Sequence, residues 1–112
     1  STADTIYLVC HSRGGQVCIN IANTINDPRI KMIVLLEPSI RGGEAENNPP
    51  YDGLQDYNEL RKNQKIKTVL IVSGDNNNPN PDIPPDASFP ELNHNGLVYS
   101  LEVLDKILEL AK

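Results

Sequence analysis

Three short apolar runs constrain this chain more than any other feature: Thr5–Cys10 (TIYLVC), Lys31–Leu36 (KMIVLL) and Lys67–Val72 (KTVLIV). Each is rich in aliphatic and β-branched residues, and none alternates apolar with polar. That is the pattern of strands buried on both faces of a parallel sheet. The segments between them follow a helical period. From about Gly14 to Ile25 the apolar residues fall at Val17, Cys18, Ile21, Ala22 and Ile25, and Asn26, Asp27 and Pro28 stop the pattern. A shorter helix is predicted from about Asp52 to Asn63, with Leu54, Tyr57 and Leu60 on one side. Gly96–Lys112 reads as a last amphipathic helix, since Leu97, Leu101, Leu104, Leu108 and Ala111 recur at helical steps.

The order β-α-β-α-β-loop-α predicts an α/β fold: a mostly parallel sheet of at least three strands with helices on both faces. Right-handed crossovers would bring the strand C-termini to one edge, where such sheets keep their sites. Three loops leave that edge, near Cys10, Glu37 and Ser73. Ser39–Pro50 is a loop by composition, with Gly42, Gly43, Asn47, Asn48, Pro49 and Pro50. Ser73–Pro90 is a longer one, too rich in Asn and Pro between Asn76 and Pro85 for any regular element.

A chain of 112 residues is expected to form one α/β domain, residues 1–112. It carries 10 Lys+Arg against 15 Asp+Glu, and its basic residues are scattered, which argues against nucleic acid as a partner. No apolar run approaches the roughly 18 residues of a transmembrane segment. Ser1–Thr5 does not resemble a secretory leader and no Asn-x-Ser/Thr sequon occurs, so the reading leans towards a soluble, cytoplasmic protein. Cys10 and Cys18 lie inside apolar segments and read as reduced, buried thiols rather than a disulfide.

No cofactor or metal is expected. Two histidines and two cysteines at these spacings do not make a zinc site. Arg41-Gly42-Gly43 is too short a glycine feature to cradle phosphate. Asp75, Asn77 and Asp82 lack the glycine and terminal glutamate of a calcium loop.

The first strand runs into Cys10-His11-Ser12-Arg13-Gly14 before the first helix begins. A serine on a sharp strand-to-helix turn is held with its hydroxyl exposed, and such a turn accepts only small residues two positions either side, which are Cys10 and Gly14. The N–H of Arg13, at the helix start, would face a developing oxyanion and be reinforced by the helix dipole. The alternative is an ordinary turn in which Ser12 caps the helix and Arg13 is solvated.

This stretch resembles the nucleophile elbow, Gly-x-Ser-x-Gly, of the α/β-hydrolase superfamily, and most of all its His-Ser-Arg-Gly-Gly variants, with Cys10 where glycine is usual. The resemblance extends from the first strand to the last helix and implies the C-terminal half of a serine esterase or lipase-like enzyme. It implies Ser12 as nucleophile and His94, in the loop before the last helix, as base. His11 is then left with local packing. The acid would lie between them in sequence. Asp75, just after the third strand, is the best placed; relatives often carry the acid where this chain has Asn77, while Asp82 and Glu37 are alternatives and an acid could be missing altogether. Arg13 N–H would be the single oxyanion donor, because the N-terminal loop that supplies the second is not in the chain. A small-molecule or lipid ester is the implied substrate, with Arg13 hinting at an acyl lipid or serving a structural salt bridge. A complementary N-terminal half or a second copy is the implied protein partner, since the first strand would keep an open edge. The competing expectation is a non-catalytic α/β binding or scaffold module.

Overall fold

A computed structural model describes residues 4–39 and 53–112. All of the loop expected at Ser39–Pro50 except Ser39, including Arg41-Gly42-Gly43, and the first residue of the expected second helix, Asp52, lie outside the described residues. The elements are β1 (Ile6–His11), α1 (Arg13–Thr24), β2 (Ile30–Leu36), α2 (Gly53–Lys62), β3 (Lys67–Ser73), β4 (Ala87–Phe89), α3 (Gly96–Tyr99) and α4 (Leu101–Leu110). The strands form one four-stranded sheet in the order β1-β2-β3-β4, and every pairing is parallel. The protein is therefore an α/β fold with a parallel sheet between helices.

Alternate residues of β2 and β3 feed two cores. On one face Cys10, Ile33, Leu35, Leu70 and Val72 pack with Cys18, Ile19 and Ala22 of α1 and Tyr57 and Leu60 of α2. On the other, Met32, Val34, Leu36, Val69 and Ile71 pack with Leu97 of α3 and Val103 and Ile107 of α4. Ile33, Val34, Leu35, Leu70 and Ile71 are wholly buried, each contributing roughly 1.5–3 kcal/mol. This is why β2 and β3 read as unbroken apolar runs.

Three expectations need correcting. β1 is not buried on both faces: among the described residues it pairs only with β2, and Tyr7 and Val9 are about half exposed. The sequence between Ser73 and Pro90 does contain a strand, β4. It is fastened at its entrance by Asp86, whose N–H donates to Leu70 O (2.8 Å) and whose Oδ2 accepts from Leu70 N (2.7 Å) and Arg61 Nη1 (3.1 Å). The last helix is broken at Ser100, an extended residue (φ −94°, ψ 126°) whose side chain caps α4 by accepting from Val103 N. That break resets the helical phase. Val103 and Ile107 turn inward, and the Leu101, Leu104 and Leu108 stripe expected to be buried is exposed at 77%, 48% and 56%.

Strand register sets the geometry of the C-terminal edge. His11 pairs with Leu36 and Leu36 with Ile71, so Ser12 and Glu37 leave the sheet at one level. Ser73 ends β3 beside Phe89, the last residue of β4.

Candidate active site

Ser12 is the one residue between β1 and α1, and it turns the chain at φ 56°, ψ −122°. A non-glycine residue in that conformation costs about 1–3 kcal/mol and persists only where its surroundings hold it. They do: Ser12 N donates to Leu36 O (3.2 Å), while Ser12 O accepts from Gly15 N (3.0 Å) and Ser39 N (2.7 Å). The side chain makes no capping hydrogen bond to α1, unlike the serine of an ordinary capped turn. Arg13 opens the helix, so its N–H is among those α1 leaves without an intrahelical carbonyl.

The tight position of this turn is Gly15, not Gly14. A Cβ on Gly15 would stand 2.4 Å from Pro38 Cβ and 2.9 Å from its Cα, whereas one on Gly14 meets none of the described atoms within 4 Å. The helix start is thus pressed against the segment that follows β2. Cys10 and Cys18 are joined as a disulfide, with Cα atoms 6.4 Å apart, which corrects the expectation of two free thiols. The sharp turn at Ser12 folds the second turn of α1 back over the end of β1, so cysteines eight residues apart in sequence meet.

His94 lies beyond β4, and its segment is drawn onto the end of β3. Gly74 N donates to Leu92 O (2.8 Å), and a Cβ at Gly74 would stand 2.4 Å from Pro90 O, so only glycine allows this approach. Three strand ends then supply the partners of His94. Glu37 Oε1, after β2, lies 3.1 Å from ring Nδ1. Asp75 Oδ2, after β3, accepts the backbone N–H at 2.8 Å. His11 Nε2, at the end of β1, bonds the backbone carbonyl at 2.9 Å.

The carboxylate at the His94 ring is therefore Glu37, one of the alternatives, and not Asp75. Asp75 grips the same residue by its main chain. Asp82 is exposed, and its N–H donates to Asn80 Oδ1 (3.0 Å) in the Asn-rich loop. Asn77 gives its backbone N–H to Glu37 Oε2 (2.7 Å). Ser73 Oγ donates to Glu37 Oε1 at 2.6 Å.

Glu37 is only 1% exposed and has a positive φ of 43°. Burial by itself would raise its pKa, but the Ser73 hydroxyl, the Asn77 N–H and the His94 ring outweigh it and hold the carboxyl below its ordinary value. An ionised carboxylate only accepts hydrogen bonds, so His94 Nδ1 carries the proton and, in the neutral ring, Nε2 keeps its lone pair. The site thus combines a hydroxyl on a strained turn with an imidazole whose free nitrogen can take a proton.

Among the described residues, no three His, Cys, Asp or Glu side chains converge as metal ligands, and no helix is long and apolar enough to cross a membrane. The signal for Glu37 lies in Met32-Ile33-Val34-Leu35-Leu36-Glu37-Pro38, an acid that directly follows five apolar residues, where burial would demand partners. Comparisons with protein-family models, with curated proteins and with solved structures found no match.

Proposed function

We propose that this protein is a serine hydrolase of carboxylic esters, built as the C-terminal half of an α/β-hydrolase, with Ser12 as nucleophile, His94 as base and Glu37 as the acid that orients it. The observation that carries this reading is the Glu37 to His94 hydrogen bond on the sheet edge that also bears Ser12 in its strained turn.

In this mechanism Ser12 Oγ attacks the ester carbonyl as its proton passes to His94 Nε2. The tetrahedral oxyanion takes the N–H of Arg13, strengthened by the α1 dipole. Collapse expels the alcohol, which receives the proton from Nε2, and leaves an acyl group on Ser12. Water attacks the acyl carbonyl, again giving its proton to Nε2, and the acid departs as the proton returns to Ser12. Glu37 stays ionised throughout and stabilises the imidazolium. Asp75 acts on the backbone of His94 and has no proton to move.

The substrate class is a small-molecule or lipid ester. A complementary N-terminal hydrolase half, or a second copy, would add at the edge of β1 that carries no strand among the described residues, and the N-terminal half would bring the second oxyanion donor.

A non-catalytic binding or scaffold module is favoured by one observation: the described hydrogen bonds of His94 do not include Ser12 Oγ. Hydrolysis of short p-nitrophenyl esters separates the two readings. Turnover lost in Ser12→Ala supports the hydrolase, and no turnover above that variant supports the module.

A further inference from the structure

His11 does more than pack. Its Nε2 lies 2.9 Å from the His94 carbonyl oxygen, and its ring lies against the His94 ring with centroids 4.5 Å apart and planes inclined by 31°. A carbonyl can only accept, so His11 Nε2 carries a proton. With Asp75 on the His94 N–H and Glu37 on Nδ1, every polar group of His94 except Nε2 is engaged among the described residues.

One hydrogen bond to Glu37 does not fix an imidazole. The ring can still swing about the Nδ1 to Oε1 line, and that swing moves Nε2, the atom that must meet Ser12. The His11 ring closes one side of the swing. It does so from the residue preceding Ser12, at the end of a strand paired along its length to β2. The brace and the nucleophile therefore move as one body, which ties the place of Nε2 to the place of Ser12 Oγ.

We infer that His11 is a positioning residue for the proposed reaction, holding His94 by its carbonyl and its ring face so that Nε2 is presented to Ser12. The inference rests on the hydrolase reading for its consequence in catalysis, though the hold on His94 can be read without turnover.

The test replaces His11 by Ala, by Phe, which keeps a flat ring without the donor, and by Gln, which keeps a donor without the ring. Steady-state kinetics on p-nitrophenyl butyrate should show His11→Ala lowering kcat by about 10- to 100-fold with KM within about twofold, the signature of a misplaced base. His11→Phe and His11→Gln should each restore part of that loss. Their comparison stands even where the Ala variant is poorly folded. Kcat retained by His11→Ala, a change in KM alone, or Phe and Gln variants no better than Ala would overturn the inference while leaving the hydrolase intact. NMR of the His94 ring in labelled protein supplies the reading without turnover: one side-chain rotamer in the wild type and averaging in His11→Ala are expected. A ring equally ordered in both overturns the inference. Ordering by His11 in a wild type that hydrolyses no ester upholds the hold on His94 and counts against the hydrolase.

Discussion

The ring of His94 meets the carboxylate of Glu37 at 3.1 Å, and that carboxylate is nearly sealed from solvent at the end of the second strand. The carboxylate in contact with the His94 ring thus comes from a residue 57 positions away in sequence, and the nearer Asp75 serves the main chain.

This division of labour separates two substitutions of similar chemistry. Glu37→Gln keeps the shape but cannot stabilise the imidazolium, and kcat for ester hydrolysis should fall by about 1,000- to 10,000-fold. Asp75→Asn retains an oxygen for the His94 N–H and should cost less than about 10-fold. Steady-state kinetics of the two variants checks the order, and the reverse order would return the acid to Asp75.

Glu37 also links stability to pH. Its folded pKa is depressed, so its ionised form stabilises the fold fully above the ordinary glutamate value of about 4.3, and that contribution is lost as pH falls through the folded value. Thermal melts of wild type and Glu37→Gln should differ by a constant gap near neutral pH, with the wild type melting higher. The gap should shrink only below about pH 4. A gap that widens on acidification would contradict the depressed value.

Two adjacent glycines should respond in opposite directions. Gly14→Ala gains helix propensity in open space and should stabilise by up to about 1 kcal/mol. Gly15→Ala carries the same gain but drives its Cβ into Pro38, and it should destabilise by about 1–3 kcal/mol. Urea denaturation of both variants measures the contrast.

The disulfide beneath the turn constrains a short loop of unfolded chain. On the chain-entropy account, Cys10 to Cys18 contributes about 2.5 kcal/mol, so reduction, or Cys18→Ala, should lower unfolding free energy by about that amount. Unchanged denaturation curves with and without reductant would show the pair to be unbonded in solution.

Much of this architecture was legible in the residues. β2 and β3 are apolar on both faces because both faces are covered, and the Cys10-His11-Ser12-Arg13-Gly14 turn announced itself between a strand and a helix. What escaped was decided by tertiary contact. β4 has only three residues, and its place depends on Asp86 reaching Leu70, a contact no periodicity encodes. The last helix carries enough leucines to support two phases, and one extended residue at Ser100 selects the phase that buries Val103 and Ile107. Asp75 and Glu37 both follow strands, and nothing in the sequence separates them as partners of His94. The register of β2 and β3 sets Ser73 beside Glu37, and the loops after β3 and β4 fold back to add Asn77 and His94. The two cysteines sit in separate apolar segments of the sequence, and the turn at Ser12 brings them together.

The most direct measurement is reaction of the intact protein with a fluorophosphonate, followed by mass mapping of the modified residue. The account predicts a single adduct on Ser12, absent in Ser12→Ala and formed much more slowly in His94→Ala and Glu37→Gln. No adduct on Ser12, or labelling that survives Ser12→Ala unchanged, would contradict it.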